Sequence, residues 1–182
     1  MTKRLFLAID LPEKMKDELV GWQRNLAGES GVRWTPRENL HITVAFLGDI
    51  EEDKIGELIE KVKGALRESK PFKLEFRGVV LAPPRGEPRM IWADFFENRE
   101  FGELAKMIWL AAGDYVLPEI YNKIGEQKIH VTLARFRQPI YLSVLRQPEL
   151  SEKIFEVGEI FLMESELTPE GPYYKTIFNF KF

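Results

Sequence analysis

Leu40-His41-Ile42-Thr43-Val44 recurs almost unchanged as Ile129-His130-Val131-Thr132-Leu133, and these two stretches hold the only 2 histidines in the 182-residue chain. With each residue type used at a few per cent, both matches would arise by chance on the order of once in 10⁵ to 10⁶. Polar and apolar residues alternate through both copies, which is the pattern of a half-buried strand with positions i and i+2 on one face. His41 and Thr43 therefore share a face, with Ile42 and Val44 pointing the other way. In the second copy His130 and Thr132 are set against Val131 and Leu133. Each strand buries its aliphatics and presents an imidazole and a hydroxyl together.

What surrounds the two copies also repeats. A strand over Arg4–Ile9, a helix from Pro12-Glu13 to about Ala27 and a polar loop over Gly31–Asn39 lead into the first histidine strand, which Gly48-Asp49 ends. A helix over about Glu51–Glu68, with Ile55, Leu58, Ile59, Val62 and Leu66 on one stripe, and a strand over Phe72–Leu81 follow. The second half runs through a strand over Arg89–Ala93, a helix over about Arg99–Val116, a loop of about ten residues and the second histidine strand. A short helix near Tyr141–Gln147, a strand over Lys153–Met163, a turn over Thr168–Pro172 and a last strand over Tyr173–Phe182 complete it. Arg89 follows Arg4 by 85 residues and His130 follows His41 by 89. The reading is one domain over residues 1–182 with an internal pseudo-repeat of about 1–84 and 85–182. Two such lobes, related by a pseudo-two-fold axis, would bring both histidine strands to one cleft.

Composition restricts the function. Hydrophobic content of 45% with 30% charged residues is that of a soluble globular protein, and no apolar run approaches the ~20 residues of a membrane span. Leu5–Ile9, ended by Asp10, is too short for a signal-peptide core, so a cytoplasmic location is the expectation. With no cysteine there is no disulfide framework and no thiolate chemistry. A net charge of −3 excludes a basic nucleic-acid coat and leaves local contact with an end or a few nucleotides.

Imidazole can act as base in one copy and acid in the other near neutral pH. Threonine hydroxyls suit the non-bridging oxygens of a phosphodiester. The set points to in-line displacement at phosphorus. No third ligand stands at usable spacing from either histidine, so no metal and no other cofactor is expected.

The sequence resembles the 2H phosphoesterase superfamily, which is defined by two H-x-T-x motifs, and within it the RNA 2′,3′-cyclic phosphodiesterase (2′-5′ RNA ligase) group. The resemblance rests on Arg4–Ile9, Trp34–Gly48, His130–Arg135 and Thr168–Tyr174. It implies a bilobal α+β fold in which two antiparallel β-sheets form a V-shaped cleft with helices on the outer faces. It also implies metal-independent hydrolysis of a terminal 2′,3′-cyclic phosphate to a 2′-phosphomonoester, with His41 as proton donor and His130 as proton acceptor. The partners are RNA ends or oligonucleotides with a cyclic phosphate, tRNA fragments among them, with a monomer and no membrane contact expected. Alternatives are a 2′-5′ RNA ligase or transesterase using the same site, and a non-catalytic module that binds phosphorylated RNA ends.

Thr43 and Thr132 are candidates for phosphate contact. Arg135 lies five residues after His130, an odd offset that turns it away from the site unless a bulge intervenes. The related enzymes use an arginine at this slot on the phosphate. Phe6, Trp34 and Phe46 are candidates for stacking on a base. Arg37 and Lys128 are read first as solvated loop charges and only second as sources of positive potential near the cleft, and Gly171-Pro172 is expected to shape a hairpin bordering the cleft.

Overall fold

The computed structural model describes residues 1–26, 31–116, 128–139, 145–169 and 171–182. The strands are β1 (Thr2–Asp10), β2 (Val32–Trp34), β3 (His41–Glu51), β4 (Phe72–Ala82), β5 (Met90–Phe95), β6 (His130–Phe136), β7 (Ile154–Val157), β8 (Glu159–Thr168) and β9 (Gly171–Lys181). The helices are α1 (Glu13–Asn25), α2 (Ile55–Ala65) and α3 (Arg99–Ala112). The expected helix near Tyr141–Gln147 lies largely outside the described residues, as does most of the loop before His130; residues 145–147 are not helical.

The fold is α+β. All strand pairs are antiparallel, and the order is β7-β4-β5-β6-β3-β1-β8-β9, with β2 also on β6. At the centre, β3 and β6 share a single recorded pair, Ile42 with Val131. Beyond it β3 leaves, and β2 takes its place against Ala134–Phe136. Two four-stranded arms thus diverge from one pair of residues, which opens the cleft.

The arms are not the two halves of the sequence. β4, which ends the first half, pairs with β5, and β8, near the end of the second, pairs with β1. Each half donates its last long strand to the arm that holds the other half's first strand. The expected single strand over Lys153–Met163 is accordingly two strands. β7 lies on β4 in one arm and β8 on β1 in the other, with the break at Gly158. Phe155 and Val157 are buried before the break and Ile160 and Leu162 after it, so the alternation changes phase at Gly158-Glu159, where the chain crosses between the arms.

Core formation follows the patterning. Leu58, Val62 and Leu66 on and just after α2 are buried, as are Phe101, Leu104, Ile108 and Trp109 on α3. α3 packs on α2 and on β3. Asn98 caps α3 by accepting a hydrogen bond from the Phe101 amide at 2.7 Å, satisfying one of the orphan donors of the first turn. Among the described residues no helix is long and apolar enough to cross a membrane.

Candidate active site

The register between the histidine strands fixes the site. Extending the antiparallel pairing from Ile42 opposite Val131 sets His41 across from Thr132 and Thr43 across from His130. The four side chains occupy the corners of one patch, on the face away from Ile42 and Val131, both of which are fully buried. Directly opposed β-carbons in such a pair lie about 4.5–5.5 Å apart and diagonal ones about 7–8 Å, so the two imidazoles are diagonal neighbours.

Each strand then carries one extra residue just past its threonine. On β3, Thr43 is opposite Ala8 and Ala45 opposite Leu7, which leaves Val44 as the bulge. On β6, Thr132 is opposite Trp92 and Ala134 opposite Ile91, which leaves Leu133. Val44, Ala45, Leu133 and Ala134 are all buried. A bulge reverses the parity of everything that follows it. Phe46 and Arg135, each five residues after a histidine, are thereby returned to the cleft face, and both line the cleft. The same device places an aromatic ring in one arm and a guanidinium in the other.

Gly48 does not end β3, which runs on to Glu51. A second irregularity at Leu47–Gly48, with Gly48 at φ 80°, absorbs the break. Positive φ carries little steric penalty for glycine, so the strand tolerates it there.

Both imidazoles are anchored in the same way. His41 Nδ1 is 2.8 Å from the Asn39 carbonyl, and His130 Nδ1 is 2.8 Å from the Lys128 carbonyl. A carbonyl only accepts, so Nδ1 carries the proton and Nε2 is left for chemistry. His41 Nε2 lies 3.1 Å from Thr43 Oγ1. Burial holds both imidazoles below their ordinary pKa. In His41 the Asn39 carbonyl and Asp10 oppose this, and the charge of His130 adds to it. In His130 the Lys128 carbonyl and Asp94 oppose it and Arg135 adds to it. Each histidine has a carboxylate directly across the neighbouring strand, Asp10 opposite His41 and Asp94 opposite His130. Lys16 holds Asp10 at 2.7 Å, and Arg77 lies 3.6 Å from Asp94.

The cleft encloses about 570 Å³ and gathers His41, His130, Thr43, Thr132, Arg135, Phe6, Trp34 and Phe46. These eight candidates for catalysis, phosphate contact and stacking are in one place. Their settings differ. Phe6 is buried, 5.0 Å centroid to centroid from His41, so it is a packing ring with one edge on the cleft. Trp34 is half-buried and meets Trp22 edge to face at 6.1 Å. Phe46 has the guanidinium of Arg4 over its ring at 5.3 Å. Arg37 is committed elsewhere, to Asp17 and Glu13, at 2.7 Å each. Gly171 and Pro172 line the cleft rim.

Sequence reasoning missed several members of the site. Trp92 stacks on His130 at 3.9 Å with 25° between planes. Tyr174 stands edge-on to His41 at 5.2 Å and to Phe6 at 5.0 Å. Asn39 accepts from His41 through its carbonyl and donates its side-chain N–H to the Pro172 carbonyl at 2.8 Å, tying the loop before β3 to the β8–β9 hairpin. Arg33 lines the cleft from β2. For Trp92 a signal existed, since it lies in an alternating strand at a place equivalent to β1. Tyr174 lies in the Thr168–Tyr174 stretch that carries the resemblance, but its place beside His41, like that of Arg33 in the cleft, depends on which strands become neighbours.

Among the described residues, no group of three or more His, Cys, Asp or Glu side chains could hold a metal ion.

Residues 9–92 match the family model described as LigT like phosphoesterase, a span that includes the first histidine strand and stops before the second. An RNA 2′,3′-cyclic phosphodiesterase of Archaeoglobus fulgidus is 32% identical, with 96% of this chain and 97% of that protein aligned. The crystal structure of the Thermus thermophilus protein TT0787 is 31% identical and superposes with a TM-score of 0.81 over 98% of this chain and 97% of that one. Escherichia coli LigT, solved with 3′-AMP, shares the fold at a TM-score of 0.79, with 22% identity over 100% of this chain and 99% of that one.

Proposed function

The chain belongs to the LigT-like phosphoesterases of the 2H superfamily, and from that membership we propose that it is an RNA 2′,3′-cyclic phosphodiesterase working by two-histidine acid/base catalysis without a metal. The observation that carries the reading is the shared anchoring of the two imidazoles. Both tie Nδ1 to the carbonyl two residues upstream, and both face one cleft from strands that meet at Ile42 and Val131.

In this reading the terminal cyclic phosphate sits between the imidazoles. Thr43 and Thr132 donate hydroxyl hydrogen bonds to its non-bridging oxygens, and Arg135 sets a positive charge beside them. His130, neutral, takes a proton from water as the water oxygen attacks phosphorus. The P–O3′ bond breaks, and His41, protonated, delivers its Nε2 proton to the departing 3′ oxygen. The product is a 2′-phosphomonoester with a free 3′ hydroxyl. The assignment of donor and acceptor follows the family; the near-symmetry of the two motifs does not distinguish them. Phe46 and Trp34 are the rings offered to the terminal base, with Phe6 behind the His41 imidazole.

The enzyme is read as a monomer acting in the cytoplasm on RNA ends. The test is ring opening of an oligoribonucleotide 2′,3′-cyclic phosphate in the presence of a strong chelator, with the product identified as the 2′- or 3′-phosphate. Turnover to the 2′-phosphate unaffected by chelator is the expected result. Dependence on an added divalent ion, or a 3′-phosphate product, would overturn the mechanism.

A further inference from the structure

We propose that Trp92 is a positioning residue whose indole, stacked on His130, stabilises the imidazolium that His130 becomes on accepting a proton, and that this contact makes His130 the acceptor and His41 the donor. The proposal rests on the cyclic phosphodiesterase reading above and supplies a structural reason for an assignment that the two motifs leave open.

The first observation is a break in the pseudo-symmetry. The strand beside each histidine strand sets an aspartate opposite the histidine, Asp10 opposite His41 and Asp94 opposite His130. Two residues earlier on those strands, opposite the motif threonine, β1 has Ala8 and β5 has Trp92. A methyl group in one arm thus corresponds to an indole in the other. From its place opposite Thr132, Trp92 is the diagonal neighbour of His130, within reach of a large side chain.

The second observation is ring geometry. The Trp92 and His130 centroids are 3.9 Å apart with 25° between planes, a face-to-face stack. His41 also has aromatic neighbours, but Phe6 is tilted by 37° at 5.0 Å and Tyr174 is perpendicular at 5.2 Å, so neither lays a face on that imidazole. A cation over an aromatic face is attracted by the negative π-surface, most strongly with indole. Trp92 Nε1 is buried and hydrogen-bonds to no described residue, so packing and the stack set the ring. Trp92 is not among the residues lining the cleft, and it therefore acts through His130 rather than on the substrate.

The third observation is the direction of charge flow. As the water oxygen attacks phosphorus, its proton passes to His130 Nε2 and that imidazole goes from neutral to cationic. As the P–O3′ bond breaks, His41 Nε2 gives its proton to the 3′ oxygen and goes from cationic to neutral. An interaction speeds a step only when it is stronger in the transition state than before it. A stack under the acceptor strengthens as its charge develops, whereas one under the donor would weaken. The other charges facing His130 are Asp94 on β5, with Arg77 of β4 3.6 Å from it, Arg135 on β6 and His41 on β3. An aspartate and Arg135 act on both imidazoles, whereas the indole serves one.

The experiment begins with proton NMR titration of the 2 histidines in wild type, Trp92→Phe and Trp92→Leu, with His41→Asn to assign the signals. The His130 midpoint should fall by about half a unit to one and a half units in Trp92→Leu, and by less in Trp92→Phe, which keeps an aromatic face. The His41 midpoint should hardly move. A His130 midpoint that stays or rises in Trp92→Leu, or an equal fall at His41, would overturn the proposal. Wild type alone gives a second check should the variants fold poorly, since His130 should titrate at higher pH than His41, and the opposite order would also overturn it. The acceptor role is read from cyclic-phosphate opening in His41→Ala, whose residual rate rises with pH as His130 becomes neutral. Adding Trp92→Leu should move that rise to lower pH and reduce its plateau about two- to tenfold, because the remaining base is weaker. An unmoved rise with an unchanged plateau, or a residual rate that falls with pH, would refute the assignment. Absence of turnover by wild type would instead reject the cyclic phosphodiesterase reading, while the titration, which needs no substrate, still decides the stack.

Discussion

Removing one imidazole at a time separates proton donor from proton acceptor, which the near-symmetry of the site conceals. In the proposed mechanism His130→Ala leaves a reaction that still needs His41 protonated. Its residual rate should therefore only fall as pH rises through the His41 pKa. His41→Ala leaves a reaction that still needs His130 neutral, so its residual rate should only rise with pH. Wild type combines the two limbs into a bell. Because burial holds both imidazoles below the usual histidine value near 6.5, both limbs of kcat/KM should lie on the acid side of neutrality. Bound phosphate changes this. A phosphate charge about 4 Å from the imidazolium is worth up to about 4 kcal/mol at an effective dielectric of 20, and solvent in the open cleft reduces that figure. The alkaline limb of kcat should consequently lie at higher pH than that of kcat/KM. Each variant should lose about 10²- to 10⁴-fold at the wild-type optimum. The assay is steady-state cyclic-phosphate opening from pH 4.5 to 9 in constant ionic strength, with circular dichroism to verify folding. A rate that rises with pH in His130→Ala and falls in His41→Ala would reverse the roles. A bell retained in either variant would refute two-histidine catalysis.

The threonines and the folding equilibrium give two further outcomes. Thr132→Val and Thr43→Val each remove one hydroxyl donor at nearly constant shape, and each should lower kcat/KM about 10- to 100-fold, the range for a hydrogen bond to a charged group; retention of full activity in both would remove the threonines from the phosphate site. For stability, a histidine whose folded pKa lies below its unfolded value contributes fully above about pH 6.5, and that contribution is lost as pH falls through the lowered folded value. The melting temperature should thus drop on acidification from pH 7.5 to 5. The drop should be smaller in His41→Asn, and an identical pH profile in that variant would show that His41 does not contribute.

Much of the site could be read from the chain because strand alternation is a local property. His41 travels with Thr43 and His130 with Thr132 on any strand, wherever the strand ends up. The apolar stripe of α2 was equally legible, since a helix has to bury one face. Arg135 shows where local reasoning stops. Strict alternation turns it away, and only the extra residue at Leu133 returns it to the cleft. A bulge is defined by the partner strand, and Leu133 followed by Ala134 looks in sequence like ordinary apolar strand. Trp92, Tyr174 and Arg33 were missed for a related reason. Each faces the site because of a strand pairing, β5 on β6, β8 on both β1 and β9, or β2 on β6.

The sequence by itself determined two half-sites, each an imidazole and a hydroxyl on one face of a strand. Period-two geometry and the aliphatic residues between them leave no other arrangement. The tertiary structure decided that the half-sites meet, through the single pair Ile42 and Val131. It also exchanged the last strands of the two halves between the arms and, with matched bulges, added Phe46 to one wall and Arg135 to the other. Those choices are made by hydrogen bonds between residues that are distant along the chain, and no local pattern encodes a partner.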